Sequence, residues 1–319
     1  MSHSDVRKTS RKRKHQQSLK FSTTVDFLPD ELLIEILSYL DVPEKCYAAR
    51  VSKRWNKLVQ TESLWRQMDL VHMNINLRKT WPSLQQYFMS TLTSLCIGYP
   101  HYNHNHTMLT YQIMMDIGEV CVKLTSLSLN GLNLVEVHSD SLPNSLVTLT
   151  IQKCYISRHW LLAAAEAGNL HTLEVLKMKY VQYKHSYHMM LCSLEMWAFP
   201  NLQKFSLIIS PGPWNKVNCC QEFSESLTKE CPKLHTLELS YCRIGNKCMQ
   251  LFSENFSNSL KHVHLKNCCA VSKAGVLYLK NVSSLETLHV VGCFDVDEKG
   301  EESMKGHFNG VDCKFISGP

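Results

Sequence analysis

The stretch LHTLELSYC, Leu234–Cys242, decides the fold. Its leucines fall as L-x-x-L-x-L, and a cysteine closes the pattern three residues after the last one. Alternating apolar positions make a strand with one buried side. The same template recurs as LTSLCIG (from Leu92), LTSLSLNGL (Leu124), LVTLTIQKC (Leu146), LEVLKMKYV (Leu173) and LQKFSLIIS (Leu202). It continues as LKHVHLKNC (Leu260) and LETLHVVGC (Leu285). The starts lie 22 to 32 residues apart, close to the leucine-rich-repeat period of about 20–29 residues. WRQMDL before the set and VDCKF after it read as worn terminal strands.

Between the strands run amphipathic stretches: SRHWLLAAAEAG, CQEFSESLTKEC, GNKCMQLFSENF and KAGVLYLKNV. One strand and one helix per unit predict an α/β fold, a curved solenoid with parallel strands inside and helices outside. Each unit buries its leucines against the next, and none folds alone.

Cys154, Cys242, Cys268 and Cys293 hold the last template position. They are expected to point inward as small buried hydrophobes with unreactive thiols. The 14 cysteines contain no Cys-x-x-Cys pair, and the N-terminus carries no apolar signal segment. Free thiols in a reducing compartment, cytoplasmic or nuclear, are therefore expected.

Strand residues between the template leucines should face outward. Those positions are Thr148, Thr150, Lys177, Lys179, Lys204, Ser206, Thr236, Glu238, His262, His264, Lys266 and His289. The later repeats thus present a Lys/His stripe with one acid, Glu238. Such a stripe suits an acidic or phosphorylated protein segment, or is simply a solvated sheet surface. Trp214, in the loop SPGPWNKV, is either a recognition anchor or a lid packed on the repeats.

Chemistry is sparse. HYNHNH (His101, His104, His106) is the one metal-like cluster. It lacks a supporting cysteine or carboxylate at ligand spacing, and a polar loop explains it without a metal. No phosphate-binding glycine loop, metalloprotease, hydrolase or kinase signature occurs. No metal, cofactor or catalytic residue is expected.

The N-terminal part differs. Residues 1–20 hold seven Lys/Arg and one acid, Asp5, leaving 27 basic and 27 acidic side chains in the remainder. The net charge of +6 therefore belongs entirely to the tail. A neutral body argues against a nucleic-acid binder, and no apolar run could span a membrane. Residues 1–25 read as a disordered basic tail. Arg11, Lys12, Arg13 and Lys14 within it form a nuclear-import candidate or a plain solvated cluster.

Residues 26–70 read as a small helical unit. LPDELLIEILSYL, Leu28–Leu40, predicts a first helix, with Pro29, Asp30 and Glu31 suited to its start. A second helix is expected through EKCYAARVSKRW and a third through RWNKLVQTESLW. The first helix carries apolar residues over about half its circumference, more than one buried side needs. So short a unit cannot bury that surplus by itself.

This segment resembles an F-box in Leu28, Pro29, Glu31, Leu32, Ile36, Leu37, Leu40, Pro43, Val51, Trp55, Leu58 and the tail ESLWRQMDL. An F-box followed by leucine-rich repeats ending in cysteine, residues 71–319 with about eight clear repeats, resembles the F-box/LRR family. The resemblance implies a non-catalytic subunit of an SCF (Skp–cullin–F-box) E3 ubiquitin ligase. The F-box would dock the Skp adaptor and, through it, the cullin and RING subunits. The repeats would hold the protein to be ubiquitinated for degradation. The implied adaptor face is Leu28, Pro29, Leu32, Ile36, Leu37, Leu40, Val51 and Trp55. Alternatively these residues form only the core of a helical cap on a leucine-rich scaffold or inhibitor.

Overall fold

A computed structural model describes residues 25–71, 73, 77–85, 91–99, 109–157, 160–168, 170–183, 199–209, 221–295 and 297–317. Arg11, Lys12, Arg13 and Lys14, the histidines of HYNHNH, and Trp214 lie outside these residues.

The chain enters through a short 3-10 turn, Val25–Phe27, into helix α1, Asp30–Ser38. Asp30 and Glu31 sit in its first turn, where the helix dipole favours negative charge. Helix α2, Val42–Ala48, starts on a capping box: the Glu44 amide donates to Asp41 and the Asp41 amide donates to Glu44. The sequence predicts this helix as far as Trp55, but it stops seven residues earlier. Ser52 breaks it by accepting the Trp55 amide at 3.1 Å, which caps helix α3, Lys53–Val59. The third helix is also shorter than expected. After Val59 the chain turns, and a 3-10 segment, Glu62–Trp65, brings Trp65 back. The Trp65 ring is wholly buried, and its Nε1 donates to the Val59 carbonyl at 2.6 Å. Lys45 is buried nearby, donating to the Leu64 carbonyl at 3.1 Å with its ammonium 5.6 Å from the Trp65 ring.

No linker separates these helices from the repeats. Strand β1, Gln67–Asp69, follows at once and pairs in parallel with β2, Ser94–Gly98. Then come β3, Ser126–Asn130, and β4, Thr148–Gln152. A two-stranded outlier pairs β5, Tyr155–Ile156, with β7, Gln182–Tyr183, on either side of β6, Val175–Lys179. The main sheet continues with β8, Lys204–Ile208; β9, Thr236–Ser240; β10, His262–Lys266; β11, Thr287–Val291; and β12, Asp312–Ile316.

The main sheet runs β1-β2-β3-β4-β6-β8-β9-β10-β11-β12 and is not closed; its described pairings are all parallel. The eight template strands and the two worn ones are thus all members. In-register pairing stacks the leucines: Leu95, Leu127, Leu149, Leu176, Phe205, Leu237, Val263 and Leu288 form one buried row. A fully buried side chain of this size stabilises by roughly 1.5–3 kcal/mol over exposure. Hydroxyls just ahead of the template leucine stitch units together. Ser145 donates to Leu124, Thr172 to Leu146 and Ser284 to Leu260 carbonyls.

The helical layer comprises α4, Leu77–Gln85; α5, Tyr111–Val120; α6, Trp160–Glu166; α7, Gln221–Glu230; α8, Asn246–Asn255; α9, Lys273–Leu277; and α10, Glu298–Lys305. Four were expected. Helix α9 is shorter than its stretch predicts, because the chain tightens to a 3-10 turn at Tyr278–Asn281. Helices α4, α5 and α10 were not foreseen. The first two are joined where the Trp81 Nε1 donates to Asp116 at 2.7 Å. A single apolar core runs from Leu33 in α1 to Phe315 in β12.

Six strands of the main sheet, β3, β4, β6, β9, β10 and β11, end in a sharp turn. The residue after each is left-handed, at Gly131, Lys153, Tyr180, Tyr241, Asn267 and Gly292, with φ between 51° and 68°. Its amide donates to the last residue of the next strand, as Lys153 does to Lys179 and Tyr241 to Lys266. Gly98, at the end of β2, has φ +143°, and a Cβ there would sit 1.8 Å from the Asn130 carbonyl oxygen.

Candidate functional site

Helix α1 sorts its apolar residues into two rows. Leu33 and Leu37 are fully buried, and Leu40 packs against the same core. One residue back on each turn, Leu32 is 46 % exposed, Ile36 44 % and Tyr39 81 %. Both rows follow i, i+4, i+7 spacing, so they are parallel stripes about 100° apart. Arg54 from α3 anchors the helix start, donating to the Leu28 carbonyl at 2.6 Å and pairing with Asp30 at 2.6 Å.

This arrangement corrects one expected face residue. Leu37 belongs to the core, because its Cβ lies on the stripe that meets α3 and the 3-10 turn. Leu28, Leu40 and Trp55 are partly buried against that core, while Pro29 and Val51 are exposed. The structure adds exposed apolar side chains that the sequence reading passed over: Val25, Phe27 (80 % exposed), Tyr39 and Tyr47. Tyr39 was legible from its i+7 relation to Leu32. Phe27 and Tyr47 were not, since their exposure depends on how the three helices pack.

The second surface is the outward side of the sheet. Parallel register places Lys177, Ser206, Glu238, His264 and His289 side by side along one row. Lys204, Thr236 and His262 share the row before it, and Lys179 and Lys266 the row after. Two of the expected outward residues, Ser206 and Thr236, are nevertheless buried. The Thr236 hydroxyl lies 2.8 Å from His235 Nδ1. The Lys204 ammonium pairs with Glu238 at 2.5 Å, and Ser206 hydrogen-bonds the same carboxylate. Burial works against that carboxylate, but the bonds from Lys204 and Ser206 more than offset it and hold its carboxyl below the usual range.

The imidazoles form edge-to-face pairs. His264 and His289 have centroids 4.7 Å apart, and His235 and His262 6.4 Å. His289 lies 3.8 Å from Asp312, and His262 Nδ1 is 3.0 Å from the Thr287 hydroxyl. Burial and then the neighbouring His289 push the His264 pKa down, and burial does the same for His235. The stripe is therefore less cationic than its composition suggests. Lys177 and Lys266 are exposed and Lys179 half-buried, its ammonium 5.3 Å from the Tyr180 ring.

Beneath the turns, Cys154, Cys242, Cys268 and Cys293 are buried. Cys154 donates to the Leu129 carbonyl at 3.3 Å and Cys268 to that of Leu239 at 3.4 Å. The Cys268 amide donates to the Cys293 Sγ at 3.3 Å. Burial pushes Cys154 up to about 12. The contact with Cys242 together with burial pushes Cys268 well above the ordinary thiol range. Among the described residues, no group of three or more His, Cys, Asp or Glu could hold a metal ion. No helix among them is long and apolar enough to cross a membrane.

Residues 25–71 match the family model described as F-box-like. Over 262 residues the chain is 27 % identical to F-box/LRR-repeat protein 12 of Mus musculus, covering 82 % of this chain and 77 % of that one. The Homo sapiens protein of the same name is 27 % identical over 266 residues, 83 % and 78 % of the two chains. F-box/LRR-repeat protein 5 of Mus musculus is 41 % identical over 51 residues, 16 % of this chain and 7 % of that one.

Proposed function

We propose that this chain, a member of the F-box/LRR-repeat family, is the substrate-recognition subunit of an SCF-type E3 ubiquitin ligase. The F-box docks a Skp adaptor, which links it to the cullin and RING subunits. The repeats hold the protein to be ubiquitinated. The chain makes and breaks no bond itself. It raises the effective concentration of a substrate lysine beside a ubiquitin-loaded enzyme.

The observation that carries this reading is the outer row of α1. Leu32, Ile36 and Tyr39 stay exposed although the core has already taken Leu33, Leu37 and Leu40. With Phe27 and Val51 they leave a sizeable apolar area uncovered, of the kind that marks a protein interface. The domain boundaries at residues 26–70 and 71–319 belong to the same proposal. Here Gln67–Asp69 serves both parts, since it ends the helical unit and starts the sheet.

The test is co-purification of the full chain with a Skp adaptor and cullin. Leu32→Asp with Ile36→Asp should abolish both, with the repeats still folded by circular dichroism. Undiminished adaptor binding by that variant rejects the reading. A scaffold or inhibitor outside any ligase is the second reading. It is favoured by the continuous core, in which the helices also cap the solenoid. Failure of the unmodified chain to bind any Skp adaptor would select it.

A further inference from the structure

The paired imidazoles do not stand alike. His235 meets the Thr236 hydroxyl and Gln203 through its two ring nitrogens, and His262 Nδ1 meets the Thr287 hydroxyl. His264 has no hydrogen bond among the described residues, and its ring is held edge-on by His289 at 4.7 Å. A neutral imidazole carries one N–H donor and one acceptor nitrogen. On a half-buried ring such groups ordinarily find partners, so His264 keeps a positioned and unused donor on the outward face.

Two lysines flank this ring. Lys266 follows it by two residues on β10, and Lys314 on β12 is opposite His289, which is opposite His264. Both are exposed, and neither has an ion pair among the described residues. Lys314 acts on Glu301, but that carboxylate already takes the Lys305 ammonium at 2.8 Å and the Phe315 amide. Lys204 and Glu238 cancel each other. On the outward positions of β9 to β12 that leaves two ammonium groups against one carboxylate, Asp312, a surplus of one positive charge. An apolar strip adjoins it: Val291 is opposite Lys266, and Ile316, 43 % exposed, is opposite Val291. The sheet order ends at β12, whose outward residues Asp312, Lys314 and Ile316 are all exposed.

We propose that the outward face of β10 to β12 binds an extended substrate segment in which an Asp or Glu lies two residues from an aliphatic residue. The carboxylate takes the His264 N–H and the ammonium groups of Lys266 and Lys314, and the aliphatic side chain covers Val291 and Ile316. The inference rests on the repeats being the substrate-holding part, and it adds where the substrate sits and what it is made of. The two-residue spacing follows from the rows. His264, His289 and Lys314 share one row, and Lys266, Val291 and Ile316 share the row two residues on. Side chains two apart on an extended partner face the same way with the same offset.

One surplus positive charge matches one carboxylate. A phosphoserine brings about two negative charges at neutral pH, and the outward positions of β9 to β12 hold no arginine to grip it. A carboxylate beside His264 also favours the charged imidazole. Lys204, His262, His289, Lys266 and Lys314 oppose that proton, whereas Glu238, Asp312 and the bound carboxylate favour it. The free ring is held neutral by burial and by His289, so binding takes up a proton and tightens as pH falls.

The test uses the full chain bound to its Skp adaptor and three fluorescent peptide pools with the same degenerate flanks. Each pool places its central residue two positions from a leucine, in both orders. The centres are Asp/Glu, glutamine or phosphoserine. The Asp/Glu pool should bind about tenfold tighter than the glutamine pool, and its advantage should grow between about pH 7.5 and about pH 6.5. Lys266→Glu with Lys314→Glu should erase the advantage, while Lys177→Glu with Lys179→Glu should leave it. His264→Gln retains a donor and should flatten the pH dependence with little change at pH 7.5. Ile316→Ser should weaken the Asp/Glu and glutamine pools alike. Equal binding of those two pools overturns the proposal. So does an advantage that survives the Lys266 and Lys314 reversals, a pH dependence unchanged by His264→Gln, or a phosphoserine pool that binds tightest. Adaptor binding is read on the same samples. Its absence in the unmodified chain counts against the ligase reading and leaves the peptide comparison standing.

Discussion

Leu32 and Leu33 are neighbours on helix α1, yet Leu33 is wholly buried in the core and Leu32 is 46 % exposed outside it. One helical step of about 100° separates a residue that holds the fold together from one that is free to hold a partner.

The first prediction separates those roles. Leu33→Ala and Leu37→Ala should each destabilise the protein by about 2–5 kcal/mol, through lost burial and a residual cavity. Leu32→Ala and Ile36→Ala should leave the urea midpoint nearly unchanged and weaken adaptor binding. Urea unfolding and adaptor titration on all four variants check this.

The Lys204–Glu238 pair is about one-third exposed on both sides, so it is worth about 1 kcal/mol or less. Glu238→Gln should still be harmful, because it leaves Lys204 without its partner beside buried Ser206. A double-mutant cycle with Lys204→Met should return a small favourable coupling that shrinks with added salt.

Acid should weaken the fold through the imidazoles. The pKa values of His264 and His235 are held below the ordinary 6.5, so the unfolded chain takes up protons first as pH falls. Their contribution is complete above 6.5 and is lost as pH drops through the folded values. The groups around His264 are His289, Glu238, Lys204 and His262. Urea midpoints should fall between about pH 7.5 and about pH 5.5, and His264→Gln should flatten that fall. Glu238, held low, adds its own loss only below its unfolded value of 4.5.

The cysteine ladder should be inert. Native alkylation at neutral pH should modify exposed Cys269 well before Cys154, Cys242, Cys268 or Cys293. Peptide mapping by mass spectrometry reads the order, and rapid labelling of Cys268 in the folded protein would contradict it.

Gly98→Ala should unfold the start of the repeats. The added Cβ would fall on the Asn130 carbonyl, a backbone atom that cannot move aside without breaking the β2–β3 pairing. Loss of cooperative unfolding, or failure to accumulate as soluble protein, is the expected outcome. A wild-type midpoint would contradict it.

Much of this was legible in the chain itself. The L-x-x-L-x-L-x-x-C period marks strands and buried residues because alternation along a strand is a local property, repeated often enough to override ambiguity in any one unit. The order of F-box residues and the charged tail are equally local. Helix ends were less legible. Ser52 competes with the helix that EKCYAARVSKRW would otherwise continue, and α10, rich in Glu and Lys, has an apolar side of little more than Met304.

Only the tertiary structure decided which surplus was usable. Leu32 and Leu37 are alike in composition and helix propensity, and their separation depends on where α3 and the Trp65 turn press against α1. Lys177 and Lys204 occupy outward strand positions of the same template. Parallel register gives Lys204 a carboxylate on the next strand and leaves Lys177 without one. The sequence by itself determined the repeat, its buried ladder and the kind of helical unit that precedes it, since those follow from periodicity. Exposure, pairing and residual charge came from packing, because they depend on neighbours that are distant along the chain and adjacent only once it has folded.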